Sequence, residues 1–163
     1  MNFSIMNRRK AIDFTYDKCD EFKYIIISIF GRGEDKAKFY NNPSLMGVLY
    51  CHFEDTEDSD GISHKDAKDI IKFVQHCQDK INLIVVHCQA GISRSAGVCA
   101  ALSRYLDGDD DWVFRNPKYK PNMRCYKYIL DERNINYDNW KEKIDMNNQA
   151  FLTSDMSGSE IHF

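Results

Sequence analysis

The sequence predicts an α/β fold, a central and mostly parallel sheet flanked by helices, and three observations carry that expectation. Short runs of β-branched and aromatic residues occur at 24–30, 45–53 and 83–86. Stretches with helical periodicity separate and follow them. The chain has 163 residues, the size of one ordinary domain, enough to bury roughly 70% of the surface an unfolded chain exposes. Strands that alternate with helices pair in parallel, and their ligand sites lie beyond the carboxyl ends of the strands.

Residues 24–30 read Tyr-Ile-Ile-Ile-Ser-Ile-Phe and stop at Gly31-Arg32-Gly33, as expected for a central strand running into a loop. Residues 45–53 read as a second strand, followed by an acidic loop over 54–60. Ser63, with Asp66 three residues on, is a weak capping box. Behind it Ala67, Ile70, Ile71 and Val74 recur at i, i+3, i+4 and i+7, one apolar stripe on a helix that ends near Lys80. Residues 83–86, Leu-Ile-Val-Val, are too few for a helix and read as a buried strand, with a tight loop and a helix over 95–106 after it, closed by Gly108. Asp109-Asp110-Asp111 ahead of Trp112 suggests a short capped helix, and Pro121-Asn122 opens another that carries Tyr126, Ile129 and Leu130. Residues 1–138 are expected to be one domain, and 139–163, where apolar residues thin out, a loosely packed or partly disordered tail.

Hydrophobic residues make up 43% of the chain and charged residues 29%, which fits a folded soluble domain and argues against collagen-like, low-complexity or wholly disordered classes. With 22 basic and 25 acidic side chains and a net charge of −3, no global positive field exists to hold nucleic acid. Arg8-Arg9-Lys10 is not followed by the apolar stretch of a signal peptide, and no run is long enough to span a bilayer. Six cysteines, without a Cys-x-x-Cys pair, suit reduced thiols in a cytoplasm rather than a disulfide scaffold or zinc site.

The loop after the third strand is His87-Cys88-Gln89-Ala90-Gly91-Ile92-Ser93-Arg94-Ser95. It leaves a buried strand and enters a helix N-terminus, where successive backbone N–H groups are free to wrap an anion. A cysteine at the base of such a nest sits in a positive field that favours its thiolate, which makes Cys88 a candidate nucleophile aimed at the bound anion. Arg94 is placed to return across the loop and grip two phosphoryl oxygens with its planar fork. Gly91 supplies the backbone freedom the cradle needs, and the Ser95 hydroxyl is placed to stabilise a departing thiolate.

His-Cys-x5-Arg-Ser resembles the signature loop of the cysteine-dependent protein tyrosine phosphatases, in their dual-specificity branch, and the likeness extends over roughly residues 22–133. The resemblance implies a phosphatase-type three-layer fold and a two-step hydrolysis without metal or cofactor, through a cysteinyl-phosphate. It implies a general acid about thirty residues before the cysteine, which protonates the leaving oxygen and later deprotonates water. Asp55 fits that place, with Asp58 and Asp60 as rivals in the same loop. The expected reading is a cytoplasmic, monomeric phosphatase of phosphotyrosine, and of phosphoserine or phosphothreonine, in protein or peptide substrates, with neither nucleic acid nor membrane as a partner. The tryptophan that marks the acid loop of the larger tyrosine-specific enzymes is absent, and so are the lysines that inositol-lipid phosphatases carry beside the cysteine. The alternative is a catalytically silent module that binds phosphoproteins with the same loop; a rhodanese-like sulfur transferase is a third class.

Other residues have plainer readings. His87 is expected to steady the loop through backbone hydrogen bonds, and Asn122 to cap a helix while supporting the loop. Cys19, Cys77, Cys99 and Cys125 read as core cysteines. Cys51 is a candidate for a protective disulfide with Cys88, as in some members of the family. Arg115, Lys118, Lys120 and Arg124 gather around Pro121-Asn122 as a basic patch that could attract phosphorylated substrates, and Arg32 either lines the cleft or makes a turn.

Overall fold

The computed structural model describes residues 1–17 and 21–160, the last six of these as helix backbone alone, so Cys19 lies outside the described residues. Its core is a sheet of β1 (Asn2–Asn7), β2 (Tyr24–Phe30), β3 (Leu45–His52) and β4 (Leu83–Cys88) in the order β1-β4-β2-β3, with every pairing parallel. The helices are α1 (Arg8–Phe14), α2 (His64–Cys77), α3 (Arg94–Asp107), α4 (Asp111–Phe114), α5 (Met123–Asp131) and α6 (Trp140–Glu160).

The alternation along β2 explains its unbroken hydrophobicity. Ile25, Ile27 and Ile29 join Ile84 and Val86 of β4 in the core cluster that also holds the buried faces of α2, α3 and α5. Tyr24 and Ile26 face the other way, with Leu83 and Val85, against Phe14 of α1 and the connecting segments that carry Phe22 and Phe39. Both faces of the two central strands are therefore dry, which is why their sequences show no polar alternation. In α2 the stripe Ala67, Ile70, Ile71, Val74 and Cys77 is buried, and the capping box is complete: Ser63 Oγ accepts from Asp66 N–H at 3.1 Å and Asp66 Oδ2 from Ser63 N–H at 2.9 Å. α3 closes at Gly108 in the left-handed region, φ 75°.

Two segments hold elements that the sequence pattern does not mark. No element is marked by patterning before residue 24, yet β1 pairs with β4 along its whole length and hands the chain to α1 through Asn7, whose Oδ1 accepts from Lys10 N–H at 2.8 Å. An edge strand with no fully buried residue leaves no hydrophobic signature. The segment from 139 on, expected as a loosely held tail, contains α6, and that helix is pinned by polar side chains. Lys143 Nζ donates to Asp110 Oδ1 at 2.7 Å and Asp111 Oδ1 at 2.6 Å, while Asn147 Nδ2 donates to the carbonyls of Phe114 and Tyr119 at 3.0 and 2.9 Å. Anchorage through a buried lysine and asparagine is invisible to a reading that follows apolar residues. No described helix is long and apolar enough to cross a membrane.

Candidate active site

β4 runs two residues further than its apolar core suggests and carries His87 and Cys88 into the sheet. His87 is buried; its Nε2 lies 2.6 Å from Ser28 Oγ on β2 and its Nδ1 3.1 Å from the Cys88 carbonyl. Burial above all holds its imidazole below the ordinary value of 6.5, so the ring is neutral and serves as a hydrogen-bonded strut.

Beyond Cys88 the loop is tied down on its outside. The carbonyl of Gln89 accepts from Arg8 N–H at 3.3 Å, that of Ile92 from Lys120 N–H at 2.9 Å and that of Ser93 from Asn122 N–H at 3.0 Å. With these carbonyls engaged, the N–H groups of Gln89, Ala90, Ile92 and Ser93 have no acceptor among the described residues. Gly91 has φ 69°, and a Cβ there would lie 2.6 Å from both Asn7 N and Met6 C, so only glycine lets the loop rest on the end of β1. Cys88, 2% exposed, sits at the base: Gly91 N–H points to its Sγ at 3.3 Å, and Ser95 Oγ lies 3.1 Å away.

Arg94, the first residue of α3, returns across the loop and is 6% exposed. Its Nη1 donates to Glu34 Oε1 at 2.8 Å and to the Phe53 carbonyl at 3.1 Å, and its Nη2 to Glu34 Oε2 at 3.0 Å. Its Nε is buried without a partner. Burial works against the guanidinium's charge, but the hydrogen bonds and charge of Glu34 outweigh it and hold Arg94 above its usual value; the same hydrogen bonds hold Glu34 below the carboxylate range.

Of the three acidic candidates, Asp55 is the one in contact with the loop. Its Oδ1 accepts from Ser93 Oγ at 2.7 Å and from Asn122 Nδ2 at 3.0 Å. Asn122 also caps α5, its Oδ1 accepting from Cys125 N–H at 3.0 Å. Asp58 instead turns its carboxylate to Asp60 N–H at 2.9 Å, and the Asp60 carbonyl accepts from Glu54 N–H at 3.0 Å, which shapes the acidic loop from within.

The described cysteines, Cys51, Cys77, Cys88, Cys99 and Cys125, are all buried free thiols. Burial pushes the Cys51 thiol up to about 12, which leaves it a poor thiolate source. In the basic patch Arg115 pairs with Asp111 at 3.6 Å, and Arg124 donates to the Ile62 carbonyl at 2.8 Å. Lys118 and Lys120 remain exposed beside the loop. Arg32 contributes its backbone N–H to Glu54 Oε1 at 2.6 Å. Glu34, two residues on, is the partner of Arg94 that sequence reading missed; the turn Gly31-Arg32-Gly33-Glu34 ending β2 was the available signal.

A parallel sheet that delivers a cysteine into an amide-lined loop closed by an arginine defines the class of cysteine-loop phosphatases. The chain belongs to the dual specificity phosphatase family: the family described as dual specificity phosphatase, catalytic domain, matches residues 19–106. A relative in Invertebrate iridescent virus 6, provisionally named tyrosine phosphatase 123R, is 27% identical over 100 residues, 61% of each chain. The chain thus spans less than two thirds of that relative's length. Among solved structures, a mouse protein provisionally classed as a dual specificity phosphatase and crystallised with zinc tungstate has 18% identity and a TM-score of 0.56 over 81% of this chain and 82% of its own. Human DUSP28 has 14% identity and a TM-score of 0.57 over 81% and 91%. At these identities the likeness is one of fold.

Proposed function

We propose that the chain is a protein phosphatase that hydrolyses phosphotyrosine, and also phosphoserine and phosphothreonine, through a cysteinyl-phosphate, as a cytoplasmic monomer acting on phosphorylated proteins or peptides. The observation that carries this reading is the buried Cys88 Sγ at the base of the loop, with Gly91 N–H at 3.3 Å and Ser95 Oγ at 3.1 Å from the sulfur. A loop that merely binds phosphate needs the amides and Arg94 but has no use for a sulfur held in this way.

In the first step the Cys88 thiolate attacks phosphorus, an S–P bond forms, the P–O bond to the leaving group breaks, and Asp55 gives its proton to the departing oxygen. In the second step Asp55, now a carboxylate, takes a proton from water as the water oxygen attacks phosphorus. The S–P bond breaks, inorganic phosphate leaves and the thiolate is regenerated. The amides of residues 89–93 and the Arg94 guanidinium stabilise the charge that spreads over the equatorial oxygens. Ser95 donates to the thiolate each time it is the free form. Asp55 is preferred over Asp58 and Asp60 because it alone of the three touches the loop. His87 and Asn122 support: one braces the strand end, the other holds both Asp55 and the Ser93 carbonyl.

The test is hydrolysis of para-nitrophenyl phosphate in chelator and reductant by the wild type and Cys88→Ser. Metal-independent turnover abolished by the substitution supports the reading. A wild type that binds phosphate analogues without turning substrate over contradicts it and favours the silent binding module.

A further inference from the structure

The candidate phosphate loop borders a groove of about 320 Å³. Its apolar surface comes from Ile5 of β1, Ile92 of the loop and Tyr119 of the segment between α4 and α5, and it is also lined by Asn7, Lys10 and Lys118. Ile92 is 45% exposed, a large apolar side chain left open to solvent on the loop itself.

Two basic clusters that lie far apart in the sequence meet at this groove. In Arg8-Arg9-Lys10, Arg9 pairs with Asp13 at 3.6 Å and Arg8 Nε donates to the Asp35 carbonyl at 3.1 Å, which leaves Lys10. In the patch around Pro121, Arg115 pairs with Asp111 and Arg124 donates to the Ile62 carbonyl, while Lys118 lines the groove. Neither Lys10 nor Lys118 is paired with a carboxylate among the described residues. The backbone around them is held: Lys10 N–H by Asn7 Oδ1 at 2.8 Å, Lys118 N–H by Asn116 Oδ1 at 2.9 Å, the Tyr119 carbonyl by Asn147 Nδ2 of α6 at 2.9 Å and the Ile92 carbonyl by Lys120 N–H at 2.9 Å. A groove fixed in this way loses little freedom when it is filled.

Its lining offers two ammonium groups and a carboxamide but no guanidinium. A second phosphoryl group is matched by a planar fork, whereas ammonium groups are point charges. A glutamate suits both parts of the surface, its methylene stem against the isoleucines and the tyrosine ring and its single charge on the lysines. A residue whose phosphoryl group sits in the loop carries its neighbours past the groove, since a chain advances at most about 3.6 Å per residue.

Resting on the phosphatase reading, we propose that this groove is a specificity subsite in which Lys10 and Lys118 bind an acidic side chain, above all a glutamate, a few residues from the phosphorylated residue of the substrate. The protein then selects among phosphoproteins by that carboxylate.

The experiment measures kcat/KM for alanine-rich phosphotyrosine peptides that carry one glutamate, or one glutamine, at each flanking position in turn. The enzymes are the wild type, Lys10→Met/Lys118→Met, and Lys68→Met/Lys72→Met, which removes two exposed charges from α2. An exposed ion pair shifts an equilibrium by about 1.4- to 5-fold. At the best position glutamate should therefore exceed glutamine by about fivefold in the wild type and the α2 variant, chiefly through KM, and by no more than about 1.5-fold in Lys10→Met/Lys118→Met. A ratio near one at every position, or a preference that survives loss of both lysines, overturns the proposal. So does a phosphoserine at the best position that outdoes glutamate by more than about tenfold, which would assign the groove to a second phosphoryl group. If the wild type hydrolyses none of the peptides, the phosphatase reading fails, while their affinities by calorimetry still decide the subsite: a glutamate preference lost with the two lysines supports it, and no preference, or one that survives, refutes it.

Discussion

Asn122 Nδ2 donates to Asp55 Oδ1 at 3.0 Å across 67 residues of sequence, and the same asparagine gives its backbone N–H to the Ser93 carbonyl in the candidate phosphate loop at 3.0 Å. One residue at the start of α5, through its side chain and its backbone N–H, thereby ties the acidic loop to the candidate phosphate loop, and the Ser93 hydroxyl closes the triangle at 2.7 Å from the same carboxylate oxygen.

A general acid is worth about 10²–10⁴ in rate, and most when the leaving group is poor. Asp55→Ala should therefore lower kcat on a phosphotyrosine peptide by about 10² or more, and much less on an activated aryl phosphate. Asp58→Ala should leave the ratio of the two substrates unchanged. The reverse pattern moves the acid to Asp58.

His87 gives a pH dependence with a definite sign. Its folded-state value is lowered from 6.5, chiefly by burial, so the unfolded chain binds the proton more readily. The stability it contributes is complete above 6.5 and is lost progressively as pH falls below 6.5 towards the folded-state value. Thermal unfolding from pH 8 to 5 should show this loss in the wild type and a flatter profile in His87→Gln. Parallel profiles would mean that the imidazole is not held neutral against Ser28.

Lys143 tests whether α6 belongs to the folded unit. Asp110 is 2% exposed and is held by Lys143, by Arg104 at 3.6 Å and by Tyr126 Oη at 2.5 Å. Removing one partner of a buried pair costs about 3–5 kcal/mol, and the lower end is expected for Lys143→Ala because the other two contacts remain. Denaturant titration measures it; a loss under about 0.5 kcal/mol, typical of a surface change, would make the contact incidental.

The candidate phosphate loop was legible as a motif because its residues are contiguous: cysteine, glycine, arginine and serine follow one another between a strand and a helix. The central strands were legible for a related reason, since burial on both faces leaves unbroken apolar runs. Asp55 could be narrowed to a loop, but its separation from Asp58 and Asp60 depended on Ser93 and Asn122, 38 and 67 residues away. Glu34 was hidden by the same distance: it lies 60 residues from Arg94 and reads as one more acidic surface residue until the turn folds it inward. β1 and α6 escaped because an edge strand and a helix anchored by Lys143 and Asn147 carry little hydrophobic pattern.

The most direct measurement is to quench the protein in acid during turnover of para-nitrophenyl phosphate and map its peptides by mass. A phosphoryl adduct on Cys88, more abundant in Ser95→Ala and absent in Cys88→Ser, is the predicted result. Turnover that proceeds with no adduct on Cys88, or that persists in Cys88→Ser, would contradict the cysteinyl-phosphate route.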